Sequence, residues 1–381
     1  MIEVDYRFPP GVDAARQAQV IAVGQTAGTW DARFAHRAEQ LQAHLAQVVR
    51  VQDGVATVRF PRANVEGDVA SLLTMIFGKY SMAGPAKVVA VRLPEDYGVR
   101  PRLGMAGLRQ RLGVEGRPLV MAIFKPSLGL SAADHGAILA ELADGGLDVV
   151  KDDEILGDLP SAPTRERLAA CRPVLEARAR AGRPLLYAVN VTGRADRLVA
   201  NARELVAAGA NALLLNVLVY GYGALEALAS DPAVDVPVFV HPALAGALCG
   251  APEHGLAYPV VLGTLAAHAG ADAVLYPSAH GSLPFTPADE AAVRDALRAR
   301  GVAPVPSAGV FPGTVPRARA DYGEDVVLNA GAGIMDHPDG PRAGVGAFFE
   351  AIELDRSGGR FSVESVPAGP LRTALAKWGP R

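Results

Sequence analysis

Short apolar runs recur along the chain from residue 118 onward, at intervals of roughly 30 residues. Ala-rich segments with helical spacing separate them, which is the pattern of a parallel α/β architecture. Eight runs read as strands: PLVMAIF, LDVVK, LLYAVNV, NALLLNV, VPVFVH, DAVLYP, VAPVPSA and VVLNAG. Eight strand–helix repeats over about 260 residues predict a (β/α)₈ (TIM) barrel, with a doubly wound open sheet as the alternative.

The residues before about position 112 follow a different pattern. IEVDYRF alternates as a strand does, and residues 12–25 have the spacing of an amphipathic helix. AQVVRVQDGVATVRFP and AKVVAVRLP resemble further strands, with the helical segment SLLTMIFGKYS between them. This order predicts a smaller α+β, ferredoxin-like domain. We therefore predict an N-terminal domain over residues 1–112 and a barrel domain over residues 113–381.

Composition places the chain among ordinary globular proteins and adds a few exclusions. Half of the 381 residues are hydrophobic and a fifth are charged, and the net charge of −3 gives no general attraction to nucleic acid or an anionic membrane. Cys171 and Cys249 have no metal-ligand spacing and are expected to be reduced. Pro259 and Gly263 interrupt the apolar stretch 257–276, which predicts a barrel helix and strand rather than a membrane span. With no secretion signal in MIEVDYRFPP, we expect a cytoplasmic protein.

Polar or Gly-rich residues follow nearly every predicted barrel strand. In chain order these segments are FKPSLG, KDDE, NVTG, VHPAL, PSAHGS, PSAGVFPG and NAGAG. Barrel enzymes carry their chemistry at the carboxyl ends of the strands, so the pattern predicts an active site at that face.

The segment LDVVKDDE places one lysine and three carboxylates at the end of a buried strand. Because residues two apart share a face of a strand, Lys151 and Asp153 are expected to face the barrel interior while Asp152 points away. Glu154, at the start of the turn, can point back inward. Two carboxylates so placed suit Mg²⁺, which prefers oxygen ligands; a solvated turn with an internal salt bridge is the alternative. Lys151 has donors only, so it acts as a counter-ion unless CO₂ converts it to a carbamate.

FKPSLGLS together with GGLDVVKDDE resembles a pair of signatures in ribulose-bisphosphate carboxylase (RuBisCO) large subunits, with a similar spacing. AGTW, SLLTMIFGKY, SAGV and NAGAGIMDHPDGPRAG resemble further segments of that family, so the likeness covers almost the whole chain. The resemblance implies that Lys125 is an acid/base residue. It also implies that Lys151 becomes a carbamate and that Mg²⁺ binds the carbamate, Asp153 and Glu154.

Several side chains of the carbon-fixing enzymes are replaced. The departures are Ser127 for a second lysine, Pro242 for an arginine, Ala245 for a histidine, Ser282 for the CO₂-holding loop lysine, and Gly24 and Ser71 for a Glu and an Asn donated by the partner subunit. These losses make CO₂ fixation an unexpected activity. The chain instead resembles a RuBisCO-like protein, the form IV branch of the family.

The remaining candidates lie at the other strand ends. His241 is expected to contact a substrate hydroxyl or relay a proton, or to be a packing histidine. Ser307, Gly309, Gly331, Ala332 and Gly333 follow the last two strands, where barrels commonly bind phosphate through backbone N–H groups; turn glycines without a ligand are the alternative. The resemblance adds Asn190 and Thr192 as pocket-lining residues. Because only one family phosphate site is retained, we predict a monophosphate substrate.

These residues predict an Mg²⁺-dependent enzyme that forms an enolate from a phosphorylated keto-sugar or keto-sugar acid. The lost polar side chains favour a decarboxylase or other C–C lyase, such as a 3-oxo-isoapionate-4-phosphate decarboxylase. The alternatives are an isomerase or enolase of a methylthioribulose-type sugar phosphate and a non-catalytic sugar-phosphate-binding protein. The family's shared active sites imply a homodimer in which each site is completed by the neighbouring subunit.

Overall fold

Two sheets organise the protein in the computed structural model, which describes residues 1–28, 32–191 and 193–380. The smaller sheet contains four antiparallel N-terminal strands, with a two-residue strand from later in the chain added in parallel at its edge. The strands are β1 Ile2–Arg7, β2 Gln47–Gln52, β3 Val55–Phe60, β4 Lys87–Arg92 and β10 Gly255–Leu256. The order β10-β4-β1-β3-β2 confirms the predicted ferredoxin-like α+β unit.

The second sheet confirms the predicted barrel. All eight apolar runs form strands: β5 Leu119–Ile123, β6 Val149–Lys151, β7 Leu186–Asn190, β8 Ala212–Leu215, β9 Val238–Val240, β11 Ala273–Pro277, β12 Ala303–Ser307 and β13 Val327–Ala330. They pair in parallel in the order β12-β11-β9-β8-β7-β6-β5-β13. The two end strands lie beside each other, where Asn329 Nδ2 donates to Ser307 Oγ over 2.9 Å. The sheet therefore curls into a nearly closed barrel, and the alternative of an open sheet is wrong.

Helices cover the outer side of both sheets. In the N-terminal part they are α1 Ala14–Gly24, α2 Ala38–Gln42 and α3 Val69–Leu73, the last continued by a π-helical turn over Thr74–Gly78. The others are α4 Gly104–Leu112, α5 Ala132–Asp144, α6 Thr164–Arg180, α7 Leu198–Ala207, α8 Val217–Tyr220, α9 Tyr222–Ser230, α10 Ala245–Cys249, α11 Ala266–His268, α12 Pro287–Arg298, α13 Val315–Tyr322, α14 Ala332–Met335, α15 Gly340–Arg356 and α16 Pro370–Trp378. The apolar stretch after residue 257 forms a π-helical turn, Pro259–Leu265, then α11 and β11, as predicted. Among the described residues, none of the helices has the length and apolarity to span a membrane.

The core explains why the polar strand ends form one site. Inward side chains such as Met121, Leu214 and Phe239 fill the barrel, and α4 closes the end where the strands begin with Met105 and Leu108. The intervening strand residues pack outward against the helices. Both faces of each strand are therefore apolar, and polar side chains collect where the strands end. The predicted division between residues 112 and 113 stays a prediction.

A buried histidine makes the stability of the fold depend on pH. His268 lies at the end of α11 with Nδ1 3.1 Å from the carbonyl oxygen of Tyr97, and burial lowers its pKa to about 4. In the unfolded chain the imidazole has a pKa of about 6.5, so between these values the unfolded state binds more protons and stability decreases as the pH is lowered. Because of this residue, we expect the free energy of unfolding to be about 2 kcal/mol lower at pH 5 than at pH 7. Urea unfolding of wild type and His268→Gln at both pH values measures the difference. An identical pH dependence in the two proteins would contradict the prediction.

Candidate active site

A cavity of about 560 Å³ opens at the carboxyl ends of the barrel strands. It brings together nearly all of the site residues predicted from the sequence. Its lining includes Lys125, Lys151, Asp153, Glu154, His241, Ser307, Gly309, Gly331, Ala332 and Gly333. These positions span most of the barrel sequence, so the fold rather than the local sequence makes them neighbours.

The KDDE segment lies at the floor of this cavity. Lys151, the last residue of β6, is 1% exposed and extends Nζ to within 3.0 Å of the Asp152 carbonyl oxygen and 3.4 Å of Glu154 Oε2. Asp153 faces the same cavity, whereas Asp152 points to the opposite side, as strand alternation predicts. Burial lowers the pKa of Lys151, which Glu154 and Asp153 partly oppose. A neutral amine is the form that can add CO₂, so this environment favours the chemistry of a carbamate.

Asp152 anchors the segment from behind. Its carboxylate accepts hydrogen bonds from Tyr187 Oη (2.6 Å), the Asn190 backbone N–H (2.9 Å) and Arg167 Nη2 (3.1 Å). Both members of the Asp152–Arg167 ion pair are fully buried. Arg167 also donates to the carbonyl oxygens of Gly157 and Ala162, in the loop that follows KDDE. The pair therefore joins β6, β7 and this loop into one rigid support.

Lys125 contacts the predicted metal ligand Asp153 directly. Lys125 Nζ lies 2.6 Å from Asp153 Oδ2 and 2.7 Å from Ser127 Oγ, and that hydroxyl lies 2.7 Å from the same carboxylate oxygen. Burial alone would raise the pKa of Asp153, but the hydrogen bonds from Lys125 and Ser127 outweigh it and lower the pKa. Asp153 is therefore an ionised carboxylate at neutral pH, as a cation ligand must be.

His241 is a neutral hydrogen-bond donor in this site. Burial, reinforced by Lys151, lowers its pKa to about 4. Nδ1 accepts from the backbone N–H of Ala243 over 3.2 Å, so the proton of the neutral ring is on Nε2. Nε2 lies 3.4 Å from Glu154 Oε2 and lines the cavity. This arrangement suits a hydrogen bond to a substrate oxygen.

The opposite wall is formed by the loops after β11, β12 and β13. A Cβ at Gly333 would lie 2.5 Å from the Val310 carbonyl oxygen, and one at Gly281 only 1.6 Å from that of Ala308. The loops therefore pack too closely against each other to admit a side chain at either position. Ser307 Oγ already donates to Val305 O (3.1 Å) while accepting from Asn329. A phosphate would therefore be bound mainly by backbone N–H groups.

Asn190 is not placed where the sequence predicted it. It does not line the cavity, and its side-chain Nδ2 lies 3.1–3.3 Å from the carbonyl oxygens of Asp153, Glu154 and Leu156. Asn216, at the end of β8, donates to Glu154 O in the same way over 2.9 Å. Both amides therefore donate to the backbone of the segment that carries Asp153 and Glu154. Thr192 lies outside the described residues.

Asn216 and Asn329 were missed in the sequence. Each lies at or near the end of a predicted strand. A polar residue at a strand end is the same signal that identified the other site residues. Asn329 lines the cavity and orients Ser307.

The oxygen donors of the site suit a hard cation. Asp153 and Glu154 supply two carboxylates at the cavity floor. Within residues 1–28, 32–191 and 193–380, no group of three His, Cys, Asp or Glu side chains could hold a metal ion. A third oxygen ligand would come from Lys151 as a carbamate. The residues therefore fit Mg²⁺ when that lysine is modified.

Comparison with known proteins agrees with this fold. The sequence model of the ribulose bisphosphate carboxylase large chain, catalytic domain, matches residues 104–283. A 2,3-diketo-5-methylthiopentyl-1-phosphate enolase of Microcystis aeruginosa is 64% identical over 384 residues, covering 99% of this chain and 100% of that protein. A solved rubisco-like protein of Alicyclobacillus acidocaldarius is 40% identical with a TM-score of 0.91, over 99% of this chain and 100% of that one. The dimeric archaeal Rubisco of Hyperthermus butylicus is 26% identical with a TM-score of 0.87, over 100% and 96%.

The fold and site define a barrel enzyme that assembles lysines and carboxylates at the carboxyl ends of its strands. The chain belongs to the ribulose-bisphosphate carboxylase large-chain family, in its RuBisCO-like branch. The comparisons support an enolase, which the sequence analysis kept as an alternative. They do not support the decarboxylase that it favoured.

Proposed function

We propose that the protein is an Mg²⁺-dependent enolase of 2,3-diketo-5-methylthiopentyl 1-phosphate. The observation that carries the proposal is the 64% identity, over nearly the full length of both chains, to an enzyme of that name. The reaction moves a proton from the carbon beside one ketone to the ketone oxygen. This substrate has no carboxylate to lose, so decarboxylation has no place in the reaction.

We assign each cavity residue a separate role in that proton transfer. Mg²⁺, held by Asp153, Glu154 and carbamylated Lys151, would supply the positive charge that stabilises an enolate oxygen. Lys125 lies at the same floor and is placed to transfer a proton at the reacting carbon. His241 donates from Nε2 to a substrate oxygen. A positioned acid or base contributes a factor of about 10²–10⁴ to such a rate.

The remaining cavity surface suits the two ends of this substrate. Backbone at Gly309, Gly331 and Gly333 would bind a single phosphate, in agreement with the predicted monophosphate. The cavity lining also includes the apolar side chains of Ile123, Pro242, Leu275, Leu283, Val310 and Phe311. A methylthio-alkyl chain can be buried against these apolar side chains. A second, charged phosphate would not be stabilised by them.

The test is hydrogen exchange in D₂O. The protein is incubated with the diketone phosphate, and proton NMR follows loss of signal at the carbon next to the phosphate oxygen, with Mg²⁺ or with EDTA. We expect Mg²⁺-dependent exchange and enol formation. Ribulose bisphosphate with labelled CO₂, and a β-keto sugar-acid phosphate, serve as controls in which no carbon is fixed and no CO₂ is released. Exchange that is absent, or unchanged by EDTA, would refute the proposal.

We also propose a homodimer whose sites are shared between subunits. The loops that follow five barrel strands carry exposed apolar side chains around the cavity mouth: Leu128, Ile155, Val219, Leu244 and Leu283 are 47–60% exposed. An open concave surface on the N-terminal domain is lined by Gly24, Ser71 and Lys79, among others. Gly24 and Ser71 occupy the two partner-donated positions of the family. Apolar loops on one subunit facing that surface of another would bury both.

Mixing two inactive variants tests the sharing of sites. Lys151→Ala removes the barrel half of the site and Lys79→Ala alters the N-terminal surface. We expect each to be inactive alone, and co-refolded mixtures to regain about a quarter of wild-type activity, because half of the dimers would be mixed and each would hold one intact site. No recovery on mixing two variants that are each inactive alone would contradict the shared site.

A further inference from the structure

Ser127 occupies the position at which the sequence resemblance expects a second lysine. Here its hydroxyl closes a triangle with Lys125 Nζ and Asp153 Oδ2, whose sides are 2.7, 2.7 and 2.6 Å. Lys125 and Asp153 line the cavity and Ser127 contacts both of them, yet the serine has no part in the function proposed above.

The hydrogen bonds of the triangle have fixed directions. A hydroxyl has one proton to donate, and the Ser127 proton goes to Asp153 Oδ2. Its oxygen accepts from Lys125. A lysine in place of the serine has donors only, so it could not accept from Lys125. The serine therefore gives the ammonium an uncharged acceptor that the family's lysine cannot provide.

That acceptor matters when a cation binds. When no cation is bound, the ionised Asp153 is the charged partner of Lys125. The Lys125 side chain is 40% exposed. A divalent cation on the same carboxylate competes for its charge and repels the ammonium. A long, half-exposed lysine side chain with no other acceptor gains rotamer entropy by moving into solvent.

We propose that Ser127 is a positioning residue that keeps Lys125 at the cavity floor when a divalent cation occupies Asp153. The inference rests on the proposed enolase function, since it concerns the residue that transfers the proton there. Ser127 itself does not touch the reacting carbon; it acts through Lys125.

Three proteins test the proposal: wild type, Ser127→Ala, and Ser127→Thr, which keeps the hydroxyl. In the exchange assay with saturating Mg²⁺, Ser127→Ala is expected to lose about tenfold in kcat with little change in KM, as outer residues of metal sites commonly do. Ser127→Thr is expected to stay near wild type. Thermal unfolding checks that all three are folded.

A second readout does not need the reaction. An amine-acetylating reagent is applied with Mg²⁺ present, and mass spectrometry measures acetylation of Lys125. We expect severalfold faster labelling in Ser127→Ala than in wild type or Ser127→Thr. If wild type shows no exchange, the proposed enolase fails while the labelling still tests Ser127. The inference would be overturned if Lys125 were acetylated at the same rate in Ser127→Ala as in wild type. It would also be overturned if Ser127→Thr gave the same acetylation rate and kcat as Ser127→Ala.

Discussion

Replacing Lys151 by methionine is expected to abolish enolisation while leaving the fold nearly as stable as wild type. The side chain is almost completely buried, and it would supply the third oxygen ligand as a carbamate. Methionine has a similar length but no nitrogen to react with CO₂. Loss of one preorganised charge-stabilising group costs about 10²–10³ in rate, so we expect a decrease of about a thousandfold together with much weaker Mg²⁺ binding.

The stability expectation follows from where the charges lie. Removing the Lys151 ammonium leaves no buried carboxylate without a partner. Glu154 is one-third exposed, and Asp153 keeps its hydrogen bonds from Lys125 and Ser127. Burying an ammonium is costly, so an apolar side chain of similar shape is expected to change the unfolding free energy by no more than about 1 kcal/mol.

Exchange kinetics, calorimetric Mg²⁺ titration and guanidinium unfolding measure the three effects. Bicarbonate is expected to raise wild-type activity and leave Lys151→Met unchanged. Lys87→Met is the matched control, since Lys87 is another buried lysine that donates to the carbonyl oxygens of Cys249 and Ala251, and none of these residues lines the cavity. It is expected to retain exchange. Substantial activity in Lys151→Met would remove the carbamate from the proposal.

The second large effect is expected at Asp152. Replacing it by alanine leaves the Arg167 guanidinium buried without a counter-charge and removes the acceptor of Tyr187 Oη and the Asn190 N–H. Removing one partner of a buried ion pair costs about 3–5 kcal/mol. We expect Asp152→Ala to lower the unfolding free energy by about that amount.

Guanidinium unfolding with a double-mutant cycle checks this expectation. Arg167→Met in the Asp152→Ala background removes the orphan charge, so the double variant is expected to be more stable than Asp152→Ala alone. Leu168→Ala, a core truncation next to Arg167 in α6, is the control for simple loss of packing. An Asp152→Ala protein as stable as wild type would show that the pair is not a structural support.

The sequence by itself determined the elements and the face of the site. Strand and helix patterns are local, so eight apolar runs sufficed to predict the barrel. The alternation of β6 determined that Lys151 and Asp153 face the cavity and that Asp152 does not. The substrate was beyond local pattern, because decarboxylation and enolisation both require a metal-stabilised enolate and the same KDDE segment.

Only the tertiary structure decided what supports that segment. Asp152 contacts Arg167, 15 residues away in sequence, and Tyr187, 35 residues away. Asn190 donates to the carbonyl oxygens of residues 153, 154 and 156, more than 30 residues away. Ser127 and Asp153 are 26 residues apart yet share a hydrogen bond. Such partners depend on which strands become neighbours and on how far each side chain reaches. The sequence therefore identified the residues that line the cavity, and the packing of β5, β6 and β7 decided which others hold them in place.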